Sequence, residues 1–498
     1  MPFFKRNFFA SYQIIDHNES VNNYDLGGIY LSTKQLYING EWVDSSGNET
    51  ADVLNPATEE VIDTVPIGTE DDVDQAVAAA NAAFPDWNVS PIDERIEYME
   101  KFYDALEENK ERITDTIVAE LGASKTFALK GQFGLPFSEV RASIDAVKNH
   151  EFEYTLDSAE IIEEGYGVVA CITPWNYPLL QIERKIVPAI LAGNTTVLKP
   201  ASETPLTAII VAEILDDIGL PKGVFNLVTG KGSTTGDYLV GHDDVDVISF
   251  TGSTEVGSQM YEKAANGIKQ IVLELGGKSP LIHLKGYDLK DSVQQAMNTV
   301  LNNQGQTCTA LTRLLVPEDD LEETKQHVLD YYEEAVVVGD PTDEDTMVGP
   351  LVSESQRETV LEYIEAGKEE GAEVLIGGNK IDDTGFYVEP TVFVNATNDM
   401  KISQEEIFGP VLTVLTYEDV EEAIEIGNDS IYGLSGGVNG PKDEARDVAR
   451  QLRTGNVLVN GNGRIPKAPF GGYKQSGRGR ENGIYGVEDY LEIKALFL

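Results

Sequence analysis

Short apolar runs that end at proline or glycine, each followed by a helical period, constrain this chain's fold more than any other feature. Gly167-Val168-Val169-Ala170-Cys171-Ile172 is apolar throughout and stops at Thr173-Pro174. A strand buried on both faces reads this way, because neither set of alternate positions meets water. Thr195-Thr196-Val197-Leu198 is a second strand, closed by Lys199-Pro200, and Thr207 to Ile218 carries helical spacing. Gly223-Val224-Phe225-Asn226-Leu227-Val228 supplies a third strand. Strand, helix, strand with short glycine turns is the grammar of an open parallel α/β sheet. Upstream, Asp72 to Phe84 and Glu94 to Leu121 read as helices, with apolar residues three and four apart. Strands at Thr312 to Val316, Val411 to Leu415 and Asn456 to Val459 repeat the pattern downstream. At 498 residues the chain exceeds what one core usually supports, so two α/β domains are expected.

Composition then removes function classes. The chain has 37 basic and 85 acidic side chains, a net charge of −48, which repels nucleic acid and anionic membrane surfaces. The acidity fits either a well-solvated surface or a salty cytoplasm in which self-repulsion is screened. Two cysteines exclude a disulfide framework and point to a reducing, cytoplasmic setting. Five scattered histidines (His17, His150, His242, His283 and His327) show no ligand spacing, so no metal site is expected. No apolar run approaches the length of a membrane span. The first 35 residues are neutral, with three basic and three acidic side chains, and rich in aromatics. They read as a flexible extension or an upstream start codon, with folding beginning near Leu36-Tyr37-Ile38-Asn39-Gly40-Glu41-Trp42.

Chemistry gathers at two places. Cys308 lies in Gln304-Gly305-Gln306-Thr307-Cys308-Thr309, and Glu274 in Leu273-Glu274-Leu275-Gly276-Gly277-Lys278-Ser279-Pro280. A lone cysteine is commonly an inert small hydrophobe, and a glutamate at a glycine turn a solvated charge. The small polar neighbours of Cys308 do not make a core stripe; they suit a backbone that comes close to a ligand. The pair therefore reads as a nucleophilic thiol and a general base that later activates water. Cys171, on the apolar strand, reads as inert.

Glycine patterns add one usable signal. Gly230-Lys231-Gly232-Ser233-Thr234-Thr235-Gly236 and Gly477-Arg478-Gly479-Arg480-Glu481-Asn482-Gly483 each miss the dinucleotide fingerprint by one residue. Phe250-Thr251-Gly252-Ser253-Thr254-Glu255-Val256-Gly257-Ser258 follows a strand and opens a helix, the right context for phosphates over a helix N-terminus. It lacks the lysine of a P-loop, so nucleotide hydrolysis is not indicated.

From about Gln35 onward the chain resembles the aldehyde dehydrogenase superfamily. The likeness rests on Thr173-Pro174-Trp175-Asn176-Tyr177-Pro178, Lys199-Pro200, Phe250-Thr251-Gly252-Ser253-Thr254 and the Glu274 and Cys308 runs, all in family order. Glu405-Glu406-Ile407-Phe408-Gly409-Pro410 and Pro469-Phe470-Gly471-Gly472-Tyr473-Lys474-Gln475-Ser476-Gly477 complete it. The resemblance implies a Rossmann-like cofactor-binding domain, an α/β catalytic domain and a small β oligomerisation arm. These would be residues 36–150 with 166–280, residues 281–480, and residues 151–165 with 481–498. It implies oxidation of a small aldehyde to an acid with NAD or NADP, through a thiohemiacetal and a thioester on Cys308, in a homodimer or homotetramer. Asn176 would stabilise the oxyanion, Glu274 activate water, and Lys185 support proton movement.

The same resemblance gives the cofactor Thr173, Trp175, Lys199, Gly232, Phe250, Gly252, Ser253, Gly276, Glu406 and Phe408. Within that set Lys199 would lie at the adenine ribose, Ser253 at the pyrophosphate, Glu406 at the nicotinamide ribose and Phe408 against the ring. NAD-preferring relatives often carry glutamate three residues after the lysine; here Ser202 stands there, with Glu203 beside it. That departure leans to NADP or dual use. Arg184 resembles an arginine that holds a substrate carboxylate in succinic semialdehyde dehydrogenases, although the second such arginine is replaced by Asn302. Short semialdehydes or a broad aldehyde range follow as expected substrates. A CoA-acylating semialdehyde dehydrogenase, a catalytically retired binding protein and a cofactor-free cysteine hydrolase are the competing readings; Glu274 argues against the first, and intact Cys308, Asn176 and Glu274 against the second.

Overall fold

A computed structural model describes residues 35–381 and 384–498. The expectation for residues 1–35 falls, Gln35 apart, outside the described residues. Eight strands form the first sheet, in the order Gly477–Arg478, Gln270–Glu274, Val247–Thr251, Val168–Ile172, Thr195–Lys199, Phe225–Leu227, Leu36–Ile38 and Glu41–Val43. Its central strands run parallel, and every residue of Val168–Ile172 is buried. Val169 and Cys171 enter the core on one face, and Val168, Ala170 and Ile172 the core on the other. Two buried faces are why that run has no polar alternation.

Seven strands make the second sheet, in the order Glu373–Ile376, Thr391–Val394, Val411–Tyr417, Arg313–Pro317, Pro280–His283, Ser435–Asn439 and Asn456–Val459. Leu281 and Leu314 pack into one core while Ile282 and Leu315 pack into another. A mixed α/β fold built on two largely parallel sheets is thus present. A third sheet holds Leu491–Phe497, Ala159–Gly165 and Glu153–Leu156, with Ile493 and Phe497 exposed.

The carboxyl ends of parallel strands share one edge, the usual place for a ligand in such sheets. Val168–Ile172 leads there into the Thr173–Tyr177 turn and the helix Pro178–Leu191. Val247–Thr251 leads into Ser253 and the helix Thr254–Ala264, and Gln270–Glu274 ends on Glu274 itself. The strand Gly477–Arg478 crosses back from the second half of the chain and pairs Gly477 with Glu274. One helical expectation needs correction. The stretch Glu94 to Leu121 is two helices, Ile92–Glu108 and Lys110–Leu121, broken at Asn109. Asn109 leaves helical geometry at φ −95° and ψ 8°, and its amide caps the Ala105 carbonyl at 2.9 Å. Apolar spacing continues across that cap, so periodicity alone does not see it.

Candidate active site

Cys308 follows the helix Leu289–Leu301 on a loop held by buried amides. Asn303 and Gln304 both adopt left-handed backbone, with φ 52° and 57°. Gln304 Nε2 donates to the Gly122 carbonyl at 2.9 Å, and Gln306 Oε1 accepts from the Val352 N–H at 3.0 Å. Gly305 has φ +74°, and a Cβ there would lie 2.0 Å from the Gly409 carbonyl oxygen, so only glycine fits. Burial pushes the Cys308 thiol up to about 12, reinforced by the Glu406 and Glu274 carboxyls and opposed by Arg464 and Arg184. Glu274 therefore lies within electrostatic reach of the sulfur. Cys171, inside the first sheet, is likewise pushed up to about 12 by burial.

Asn176 joins this loop. Its Nδ2 donates to the Gln306 carbonyl at 2.9 Å, and its own carbonyl accepts from Asn303 Nδ2 and Gln132 Nε2, each at 2.9 Å. Tyr177 next to it shares a 2.9 Å hydroxyl bond with Thr307. Glu274 is buried, and neither carboxyl oxygen bonds any group among the described residues. Burial, then the nearby Glu481, hold it well above the usual carboxylate range, against Lys185, Arg184 and Arg480. Lys185 is fully buried and donates to Thr251 Oγ1 at 2.7 Å and Glu481 Oε1 at 3.2 Å.

A cavity of about 290 Å³ opens beside the sulfur, lined among others by Trp175, Asn176, Ser253, Cys308, Glu406 and Phe408. Trp175 and Phe408 meet edge to face at 5.3 Å. Glu406 is fixed by the Gly277 N–H at 2.9 Å, and a Cβ on Gly276 would stand 2.4 Å from its Oε2. Burial raises its carboxyl to about 7, against the Gly277 N–H and Lys278. Ser253 caps the helix Thr254–Ala264 through the Val256 N–H, so a helix N-terminus borders the cavity. Gly252 covers the Phe250 ring, where a Cβ would meet Cζ at 2.4 Å. Bare backbone at Gly252 and Gly276 and a capped helix end fit a dinucleotide.

Lys199 and Ser202 meet at Gly230, two residues before Gly232, and none of the three lines the cavity beside the sulfur. Lys199 Nζ and Ser202 Oγ both donate to the Gly230 carbonyl, at 3.1 and 3.2 Å. Burial brings the Lys199 amine down to about 8, with Glu203 opposing. Gly232 opens the turn Gly232–Gly236, and nothing lies within 4 Å of a Cβ there. Thr173 donates its N–H to the Lys199 carbonyl at 3.2 Å.

Arg184 departs from the expected carboxylate clamp. Its Nε and Nη2 donate to Glu139 at 2.7 and 2.9 Å, and its Nη1 to Glu481 at 3.4 Å. A guanidinium already paired in this bidentate way offers no fork to a substrate. Glu139, Glu481, Gln132, Asn303 and Arg464 escaped the sequence reading. Only Glu481 lay in a run already quoted, and none sits in a spacing that marks a site. Among the described residues no group of three or more His, Cys, Asp or Glu could hold a metal ion, and no helix is long and apolar enough to cross a membrane.

The chain is similar to known proteins. The sequence profile of the Aldehyde dehydrogenase family matches residues 42–496. A Staphylococcus haemolyticus (strain JCSC1435) protein, provisionally named an aldehyde dehydrogenase, is 45% identical over 466 residues, covering 93% of this chain and 98% of its own. A cysteine-to-alanine mutant of aldehyde dehydrogenase C from Pseudomonas syringae, crystallised with NAD+ and octanal, superposes with a TM-score of 0.91 at 41% identity, covering 93% of this chain and 96% of its own. Betaine aldehyde dehydrogenase of Staphylococcus aureus with NAD+ gives 0.90 at 38% identity, covering 93% and 94%. Cysteine, asparagine and glutamate meeting at one sheet edge, under a match spanning nearly the whole chain, lead to one conclusion: the chain belongs to the aldehyde dehydrogenase family.

Proposed function

We propose that the protein oxidises an aldehyde to a carboxylic acid with a nicotinamide dinucleotide, and that water rather than CoA releases the product. The carrying observation is the bond from the Asn176 amide to the loop of Cys308, with Glu274 buried, unpaired and within electrostatic range of the sulfur. Cys308, once deprotonated, adds to the aldehyde carbon and gives a thiohemiacetal. The Asn176 amide and the Cys308 N–H are the donors for its oxyanion. When bound, the nicotinamide supplies the hydride acceptor. Glu274 then takes a proton from the water that hydrolyses the Cys308 thioester. Lys185, bonded to Glu481 and to Thr251, lies within electrostatic reach of Glu274 and would help to balance its charge.

For the cofactor, Trp175, Ser253, Glu406 and Phe408 would hold the nicotinamide side, and Thr173, Lys199, Ser202 and Gly232 the adenosine side. Ser202 lacks the carboxylate that repels a 2′-phosphate, which favours NADP or dual use, while the similar structures quoted carry NAD+. Residues 36–150 with 166–280 would form the cofactor domain and 281–480 the catalytic domain. Residues 151–165 with 481–498 would be an oligomerisation arm, whose open strand edge needs a neighbouring copy. Two cysteines and the strong acidity support a cytoplasmic setting without nucleic-acid or membrane partners, and the open edge of the third sheet supports a homo-oligomer. A panel of aldehydes assayed with NAD+ and NADP+ at the reduced-cofactor absorbance tests the reading. Turnover of at least one aldehyde to its acid is expected; acyl-CoA formation, or no turnover with either cofactor, would refute it.

A further inference from the structure

The cluster around Glu274 holds more acids than cations. Glu139, Glu183, Glu274 and Glu481 are buried there, with Arg184 and Lys185 as buried cations. A charge is tolerated inside a protein only where it is paired and hydrogen-bonded, so the bonds decide which acids go without a cation. Glu139 and Glu481 hold the cations. Glu183 Oε1 and both Glu274 carboxyl oxygens have no partner among the described residues. Burial, then Glu139, keep Glu183 well above the usual carboxylate range, which leaves it a neutral acid.

The bonds form one chain that begins on the helix Gly134–Val147. Glu139, on that helix, accepts Arg184 Nε at 2.7 Å and Nη2 at 2.9 Å, and Asn482 Nδ2 at 3.1 Å. The remaining guanidinium nitrogen, Nη1, donates to Glu481 Oε2 at 3.4 Å. Glu481 Oε1 accepts Lys185 Nζ at 3.2 Å, and Lys185 also reaches Thr251 Oγ1 at 2.7 Å. Thr251 is the register partner of Glu274 on the neighbouring strand. A second set of contacts returns to Glu274. Glu481 is bridged to Phe470 by backbone bonds of 2.7 and 2.9 Å, and the Phe470 centroid lies 4.3 Å from the Arg184 guanidinium. On the adjacent Gly471 a Cβ would stand 2.7 Å from Glu274 Oε1.

We propose that Glu139 is a positioning residue for the hydrolytic step: by engaging Nε and Nη2 of Arg184 it leaves Glu481 to Lys185, and so keeps Lys185 on Thr251 beside Glu274. The inference rests on Glu274 being the base that hydrolyses the Cys308 thioester. A guanidinium presents its planar fork to one carboxylate at a time. Without Glu139 the fork turns to Glu481, its other acid, and Lys185 loses that carboxylate. Glu481, Lys185, Arg184 and Arg480 are the charged groups that act on Glu274, and Cys308 is uncharged while it carries the acyl group. Covering Glu481 with the fork makes the surroundings of Glu274 less negative, which favours its ionised form. Glu274 then ionises at lower pH and is the weaker base.

The test uses p-nitrophenyl acetate, which needs no cofactor. The Cys308 thiolate adds to the ester carbonyl, p-nitrophenolate leaves, and water then cleaves the thioester to acetate and the free thiol. The burst of nitrophenolate reads acylation and the steady rate reads hydrolysis, each followed from about pH 6 to about pH 9. In Glu139→Gln the acid limb of the steady rate should move down by about half a pH unit or more, with the plateau about two- to fivefold lower and the burst amplitude unchanged. Glu139→Asp, which keeps the charge but shortens its reach, should shift the limb only part of the way. Glu183→Gln, which replaces a neutral acid with an amide of its shape, should leave the limb in place. Melting temperature tracks the fold. An unmoved limb in a folded Glu139→Gln, or in Glu139→Asp if the amide variant does not fold, would make Glu139 a purely structural residue and overturn the proposal. An equal shift in Glu183→Gln would overturn it too, because total charge rather than the Arg184 fork would then set the limb. A wild type that gives no burst, or whose acetyl group never leaves Cys308, would overturn Cys308 and Glu274 as nucleophile and base, and this inference with them.

Discussion

The Asn176 side-chain amide donates to the carbonyl of Gln306, 2.9 Å away and two residues before Cys308. The bond couples two segments 130 residues apart, and Asn303 and Gln132 lock it from the other side by donating to the Asn176 carbonyl. An amide held this way needs no reorganisation when charge develops on a substrate oxygen, the condition under which oxyanion donors are most effective. Asn176→Ala should lower kcat about 10²- to 10³-fold while cofactor affinity, followed by fluorescence, stays within about twofold. A loss confined to KM would assign Asn176 to substrate binding instead.

The thiol makes a prediction about pH. Burial holds Cys308 as the neutral thiol, with a pKa pushed up to about 12. A raised pKa means little thiolate at neutral pH and more as pH climbs. Alkylation of the cofactor-free protein should therefore rise about tenfold per pH unit from pH 7 to pH 10. Cys308→Ala should abolish both alkylation and turnover, since Cys171 is buried. A plateau reached by pH 7 would mean a thiol already ionised in the resting protein.

Arg184→Leu separates structure from specificity. Removing the guanidinium leaves Glu139 charged and unpaired in the interior, where the side chains of both partners are at most 5% exposed. Breaking such a pair costs about 3–5 kcal/mol. Denaturant unfolding should show that loss, with activity on acid and neutral aldehydes falling in parallel. Unchanged stability with a rise in KM for the acid alone would restore Arg184 as the clamp.

Ser202→Glu should weaken NADP about ten- to a hundredfold more than NAD, because the new carboxylate would face a 2′-phosphate beside Lys199. Ser202 and Lys199 already share the Gly230 carbonyl, so a carboxylate at this position would stand beside the Lys199 amine. Equal effects on the two cofactors, measured by titration calorimetry, would show that this residue does not read the phosphate.

What the sequence disclosed and what it withheld follow from the range of the interactions. The strand Val168–Ile172 was legible because burial on two faces acts on every residue of one short run. Ser253 was legible because a helix cap is a local pattern, a hydroxyl bonding an N–H three residues on. The partners of Arg184 were not, for Glu139 lies 45 residues before it and Glu481 297 residues after. No periodicity encodes such a pairing; only the packed helix Pro178–Leu191, buried along its whole length, brings them together. Arg464 escaped for the opposite reason. Its setting, between the strand Asn456–Val459 and Phe470, is an irregular stretch without a pattern. The break at Asn109 escaped because apolar spacing runs on unchanged across a single capping side chain.

The central claim is that Cys308 carries the acyl group and Glu274 activates the water that removes it. Glu274→Gln should separate those steps, because the amide keeps the shape of the side chain but cannot take a proton. Mixed rapidly with aldehyde and cofactor, this variant should produce one equivalent of reduced cofactor per active site and then nearly stop. Intact-mass measurement of the quenched protein should find the acyl group on Cys308. A variant that gives no burst and no adduct, or one that turns over at the wild-type steady rate, would contradict the account.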